Sequence, residues 1–161
     1  MEATNIVFKQ VTGARLTADA RDLFREYAQA IGTDLEYQGF SAELAALPEP
    51  YVPPHGALYL ALAGDELAGC VALRPLNDQA GEMKRLYVRS AYRSLGLGQQ
   101  LVETVIAAAR RAGFRELRLD TLPTMASAQS LYRRLGFVEI PPYNDKHLPG
   151  TRFYALALGD A

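Results

Sequence analysis

The sequence predicts a single α/β (α+β) domain over residues 1–161, with a mixed central β-sheet of about six to seven strands flanked by about four helices. Three observations lead there. The chain has 161 residues, 49 % of them apolar and 22 % charged, the size and composition of one ordinary core. Its apolar residues switch between a period of two and a period of 3.6 in the order β-α-α-β-β-β-α-β-α-β-β. No repeat, low-complexity run or linker divides it.

The elements follow in turn. Ile6, Phe8 and Val11 alternate with polar residues, as a half-buried first strand does. Thr17-Ala-Asp19 opens a helical pattern through Leu23, Phe24, Tyr27, Ala28 and Ile31, which Gly32 stops. Phe40 to Leu47 reads as a short second helix, with Ser41 as cap and Pro48 beyond its end. Four prolines then impose a non-helical loop, Pro48–Gly56. Ala57–Ala63 and Glu66–Leu73 form a hairpin through Gly64-Asp65, and Glu82–Val88 is a further strand. Leu97–Ala112 carries the strongest helical stripe, Leu97, Leu101, Val105 and Ala109, with Gly113 as its stop. Glu116–Thr121 alternates as a strand, Leu117 and Leu119 against Arg118 and Asp120. Met125–Leu135 is a helix capped by Thr124 and ended by Gly136; Phe137–Ile140 and Arg152–Leu158 complete the sheet.

Composition excludes several classes of function. The longest apolar stretch, Ala57–Leu73, is cut by Asp65 and Glu66 and falls short of a membrane span of ~18 residues. The N-terminal MEATNIVFKQVT has no basic cluster followed by an apolar run, so no secretory signal is expected. The single cysteine, Cys70, rules out an internal disulfide and a cysteine-rich zinc site. His55 and His147 lie in loops with no second ligand at metal spacing, so no metal is expected. These features suit a reducing cytoplasm. The net charge of −1 argues against nucleic acid or an anionic membrane as partner. The charge is unevenly spread: residues 1–83 carry five basic and twelve acidic groups, whereas residues 84–134 carry ten basic and three acidic. A basic segment inside a near-neutral protein suits a compact anion, although arginines on solvated helix faces would give the same count.

The chemistry concentrates between Glu82 and Leu101. A strand, Glu82–Val88, is followed by Arg93-Ser-Leu-Gly96-Leu-Gly98-Gln-Gln, where two glycines stand at the start of the long helix. Glycines there let a ligand approach the backbone, and first-turn N–H groups with the helix dipole attract phosphate. The third glycine of a dinucleotide fingerprint is replaced by Leu101, and the Gly-Lys-Ser/Thr ending of a P-loop is missing. Downstream stands Ala128-x-x-Leu131-Tyr132-x-x-x-Gly136-Phe137. By pattern alone Tyr132 sits on an apolar helix face beside Ala128 and Leu135, which a core tyrosine would also do. Glu82 could equally pair with Lys84 or Arg85. Cys70 lies in an apolar strand, the setting of a structural thiol.

Arg93-x-x-Gly96-x-Gly98 after a strand, with the tyrosine motif one strand and one helix later, resembles the GNAT superfamily of N-acetyltransferases, which use acetyl-CoA. The likeness runs from about Ile6 to Leu158. It implies that the backbone of Leu86, Tyr87 and Val88 pairs with the pantetheine arm as an added strand. It implies that the amides of Arg93, Ser94, Leu95, Gly96, Leu97, Gly98 and Gln99 hold the pyrophosphate, with Arg134 near the 3′-phosphate. Leu131 and Ser127 fall among the cofactor contacts. Many members carry Asn seven residues before the tyrosine; here Met125 stands there, so that contact is lost or passes to Ser127.

By the same resemblance Tyr132 protonates the departing thiolate, and Glu82 or a water takes the proton of the attacking amine. A backbone N–H near Val88 would stabilise the oxyanion. The expected activity is direct acetyl transfer to a primary amine, a small molecule first and a protein N-terminus or lysine second. The two N-terminal helices, Pro48–Gly56 and Pro141–Thr151, with Tyr27, Tyr37, Tyr51 and Tyr143, would contact the acceptor, and the acidity of residues 1–83 suits a cationic amine. A homodimer is compatible with the sequence. The alternative is a non-catalytic acyl-CoA-binding module of the same fold.

Overall fold

The computed structural model describes residues 5–159. Seven strands make one sheet: β1 (Ile6–Gln10), β2 (Ala57–Ala63), β3 (Glu66–Pro75), β4 (Ala80–Val88), β5 (Glu116–Thr121), β6 (Val138–Ile140) and β7 (Arg152–Ala157). Their spatial order is β1-β2-β3-β4-β5-β7-β6, antiparallel throughout except for β4 and β5. That parallel pair needs a crossover, and helix α3 (Leu97–Arg111) supplies it. Helices α1 (Gly13–Ile31) and α2 (Phe40–Ala46) lie between β1 and β2, and α4 (Ala126–Arg134) joins β5 to β6.

Alternation along the central strands makes two cores. Tyr59, Ala61, Val71 and Leu73 point to the face covered by α3, with its stripe Leu97, Leu101, Val105 and Ala109. Their neighbours Leu58, Leu60, Cys70 and Ala72 point to the face covered by α1 and α2, against Leu23, Phe24 and Phe40. Both faces being covered, β2 and β3 read as nearly continuous apolar runs. Tyr51 belongs to this second core, edge-on to Phe24 with ring centroids 6.1 Å apart, and not to an acceptor surface. The Pro48–Gly56 loop ends in a separate groove, where Pro53, Pro54 and His55 meet Ala108 and Arg111.

Some element ends differ from the sequence reading. Helix α1 begins four residues earlier, at Gly13, and Thr17 lies inside its first turns, its hydroxyl bonding back to the Gly13 carbonyl at 2.8 Å. Ser41 is not the cap of α2: Gly39 holds that place, and the Ser41 N–H and hydroxyl bond Glu36. Met125, not Thr124, precedes α4, without a side-chain cap. Strand β4 starts at Ala80, pairing with Glu116, and Gly81 leaves the room that Phe114 fills. Among the described residues no helix is long and apolar enough to cross a membrane.

Two irregularities of β4 shape the functional region. It pairs with β5 only from Ala80 to Glu82, so beyond Glu82 and Arg118 the two strands part and leave a wedge. The register with β3 also slips between Cys70↔Tyr87 and Ala72↔Lys84, and Arg85 within that bulge has φ +60°. Such a backbone costs an arginine about 1–3 kcal/mol and persists only where its surroundings fix it. They do: the buried guanidinium forks onto Glu43 of α2 at 2.9 and 2.7 Å and stacks on Tyr27 and Phe40. The Cys70 thiol donates to the Arg85 carbonyl at 3.4 Å, which fits a structural thiol.

Candidate active site

The wedge between β4 and β5 opens on the start of α3 at one end and on the loop after β6 at the other. At the α3 end is a cleft of about 410 Å³ whose walls include Leu86, Tyr87 and Val88 of β4, Gly98 of α3, and Ser127 and Leu131 of α4. Arg93 lines it as well and anchors its own loop by donating from Nε to the Val88 carbonyl at 3.0 Å. Gly96, at φ +75°, turns the chain into α3 in a conformation that suits glycine. The first backbone N–H of this turn to find a backbone acceptor is that of Gln100, on Gly96 at 3.2 Å; those of Ser94, Leu95, Gly96, Leu97, Gly98 and Gln99 have none among the described residues. A Cβ on Gly98 would approach nothing nearer than Leu131 at 3.7 Å, so the backbone there is open to a ligand. Free donors at the positive end of a 15-residue helix form a cradle for phosphate.

The expected residues do not all reach the cleft by their side chains. Leu97 is buried in the core, Leu95 is exposed, and Arg134 is exposed on α4 and lines none of the cleft. Met125 occupies the wall where the family asparagine would stand, with Ser127 beside it. The end of α1, through Tyr27, Ala30 and Ile31, closes the opposite wall, a contribution that no short motif signals.

Tyr132 lines a small, partly open cavity of about 30 Å³ at the junction of the two ends, together with Leu86, Lys84 and Asp120. Its ring packs on Phe137 and Tyr154, with centroids 5.7 and 6.2 Å away. Its hydroxyl makes no hydrogen bond among the described residues, and burial pushes its pKa up, so it is protonated at neutral pH. The hydroxyl is not one of the fully enclosed polar atoms without a partner, so it is open to the cavity that Tyr132 lines.

The other end, about 600 Å³, is polar: Glu36, Tyr37, Gln38, Arg74, Glu82 and Lys84 line it, with Asp120 and Asn144-Asp145-Lys146. Glu82 is almost wholly buried, yet it is saturated with partners. Arg74 donates to Oε1 at 2.7 Å, Tyr143 donates to Oε2 at 2.6 Å, and Lys84 lies 3.9 Å from Oε1. Burial alone would raise its pKa; Lys84, Arg74 and the Tyr143 hydrogen bond outweigh burial and hold the carboxyl below the usual range. Asp120, one strand away, is the opposite case. Burial pushes it above the usual carboxylate range against the pull of Lys84, and it has neither hydrogen bond nor ion pair among the described residues. Burial likewise pushes the Lys84 ammonium down, partly offset by Glu82.

Glu82, Tyr132, the β4 edge and the α3 cradle thus line three adjoining cavities that share Tyr27, Leu86, Lys84 and Asp120 as common walls. Sequence reasoning missed Asp120 as more than the polar half of a strand, and missed Arg74 and Tyr143 as partners of Glu82. Among the described residues no group of three or more His, Cys, Asp or Glu side chains is placed to hold a metal ion.

Comparison with known proteins agrees with this geometry. Residues 17–137 match the Acetyltransferase (GNAT) family. The chain is 36 % identical to an uncharacterized N-acetyltransferase of Schizosaccharomyces pombe over 98 % of both chains, and 28 % identical to one of Dictyostelium discoideum over 86 % of this chain and 92 % of that one. In fold it resembles a GNAT-family acetyltransferase of Staphylococcus aureus, with TM-score 0.79 at 21 % identity over 96 % of this chain and all of that one. It also resembles one of Elizabethkingia anophelis solved with acetyl-CoA bound, with TM-score 0.67 at 21 % identity over 95 % and 98 % of the two chains. The protein described here therefore belongs to the GNAT family of acetyltransferases.

Proposed function

We propose that this protein moves the acetyl group of acetyl-CoA directly to a primary amine, a small molecule in the first place. The observation that carries this reading is the placement of an unpartnered, protonated Tyr132 hydroxyl between a phosphate cradle and a polar cavity. Acetyl-CoA, when bound, supplies a thioester carbon open to attack by nitrogen. The α3 amides and Arg93 would hold the pyrophosphate, and the unpaired edge of β4 from Leu86 to Val88 would hold the pantetheine arm as an added strand.

On the acceptor side a carboxylate must take the proton that the amine loses. Glu82 is the expected group, but its saturated oxygens make it a weak base; Asp120, unpartnered and raised in pKa, suits that role better. Glu82 then fixes Arg74 and Tyr143 around the acceptor and can hold the water through which the proton passes. Tyr132 donates its hydroxyl proton to the departing sulfur and recovers one from solvent or product. Fixing both reactants in one cleft would supply much of the acceleration. The exposed rim residues Glu36, Asp145 and Lys146 leave room for a peptide, so a protein N-terminus or lysine is the second acceptor class.

Thiol release from acetyl-CoA, measured against polyamines, amino acids, aminoglycosides and short peptides, tests the reading. Acetylation of at least one amine supports it. Tight CoA binding with no turnover on any of them would replace it with a CoA-binding module.

A further inference from the structure

The polar end of the cleft contains more charge than its own pairings use. Glu82 and Arg74 satisfy each other, and Glu36 holds the N–H and hydroxyl of Ser41. Two charges remain. The Lys84 ammonium, with 13 % of its side chain exposed, has its nearest carboxylate oxygen 3.9 Å away, beyond hydrogen-bond length. Asp120 has no hydrogen bond or ion pair among the described residues, and the two do not pair with each other. They face the same space from β4 and β5, a cation whose contact with Glu82 is longer than a hydrogen bond beside an anion with no partner among the described residues. A third unmet group borders them: the Gln38 side-chain oxygen is buried with no donor, while its nitrogen donates to the Tyr37 hydroxyl at 3.0 Å.

Resting on the acetyl-transfer reading, we propose that the acceptor is an amine carrying a carboxylate close to its nitrogen, the chemistry of an amino acid or an amino-acid conjugate. Its carboxylate lies on Lys84, and its nitrogen lies between Asp120 and the Gln38 oxygen. Half-buried charges gain most from a partner that excludes water, and this ligand meets both at once. A polyamine or aminoglycoside would satisfy Asp120 but set a second cation against Lys84 and Arg74. A simple alkylamine would leave Lys84 with only its longer contact to Glu82. The surrounding acidity of residues 1–83 draws cations toward the molecule, but the inner charges select for an acceptor of both signs.

The test uses the full chain saturated with CoA, and each of a set of L-amino acids beside its own amide, with spermidine as the polycationic probe. Calorimetry reads binding, and thiol release from acetyl-CoA reads turnover separately. For the best acceptor the acid should bind and react better than its amide by about tenfold or more, the size of one charge-assisted hydrogen bond. Lys84→Met should bring that ratio toward one, and Lys84→Arg should keep most of it. A preference for amides or spermidine, no binding by any acid, or a ratio untouched by Lys84→Met would overturn the proposal. If Lys84→Met does not fold, the acid-to-amide ratio of the parent protein still decides. Selective binding of acids without turnover would sink the acetyl-transfer reading and leave this one standing. Efficient acetylation of amines lacking a carboxylate would do the reverse.

Discussion

The Tyr143 hydroxyl donates to Glu82 Oε2 at 2.6 Å, tying the loop between β6 and β7 to strand β4 across the acceptor end of the cleft. Two residues 61 positions apart thereby fix the width of the cavity, and the same contact, with Arg74 and Lys84, keeps Glu82 ionised. A carboxylate held in this way is a scaffold more than a base.

Glu82 should accordingly govern acid stability. Its folded pKa lies below the ordinary 4.5, so its contribution is complete above that value and is lost as pH falls through the lower folded one. Glu82→Gln should lower stability at pH 7 by about 1–3 kcal/mol, less than for a fully enclosed pair because Arg74 is partly exposed. The deficit should shrink as the pH drops below 4.5. Urea titrations at a series of pH values check it; a deficit independent of pH would deny the ion pair its role.

Asp120 should govern the acid limb of the rate. A base must be deprotonated, so kcat/KM should fall as pH drops through the raised Asp120 pKa, above the ordinary 3.8. Asp120→Asn should reduce kcat by about 10²–10⁴-fold and remove that limb, with little effect on CoA affinity. A variant that keeps both the limb and the rate would return the proton to Glu82 or to water.

The Arg85 fork should be the costliest pair to break. Glu43→Ala strands a buried guanidinium in a strained bulge and should destabilise the fold by about 3–5 kcal/mol in chemical denaturation. Replacing both partners together, Glu43→Leu with Arg85→Met, should recover much of that. A single-variant loss under about 1 kcal/mol, as for an exposed pair, would contradict the assignment.

Gly98→Asp tests the cradle. A carboxylate at the mouth of the α3 amides should abolish the rise in melting temperature that CoA gives the parent protein. Because the added Cβ meets only Leu131 at 3.7 Å, the variant should fold. Undiminished CoA binding by the folded variant would move the phosphate site elsewhere.

Much of this was legible in the chain. Strand β5 and the bulk of α3 follow from apolar period alone, because burial on one face leaves a regular trace, and β2 follows from a short continuous apolar run bounded by turn residues. The cradle was legible because its parts are consecutive, Arg93 to Gln99. The Arg85 bulge was not, since it arises from a register slip against β3 and is fixed by Glu43, 42 residues away. Asp120 looked like the solvent half of an alternating strand, because the parting of β4 from β5 that encloses it is a property of the sheet. Thr17 looked like the opening of its helix because the turn before it, from Gly13, carries no apolar period, while its hydroxyl in fact bonds back within that turn.

The central claim is that the Tyr132 hydroxyl is a proton donor and not packing. Tyr132→Phe keeps the ring against Phe137 and Tyr154 and removes only that hydroxyl, which has no partner among the described residues. Stability should therefore change by less than about 1 kcal/mol, since no buried acceptor is left unmet. CoA affinity should hold, and kcat for acetyl transfer should fall by about 10²-fold or more. A stably folded Tyr132→Phe protein that acetylates its best amine at the parental kcat would contradict the account.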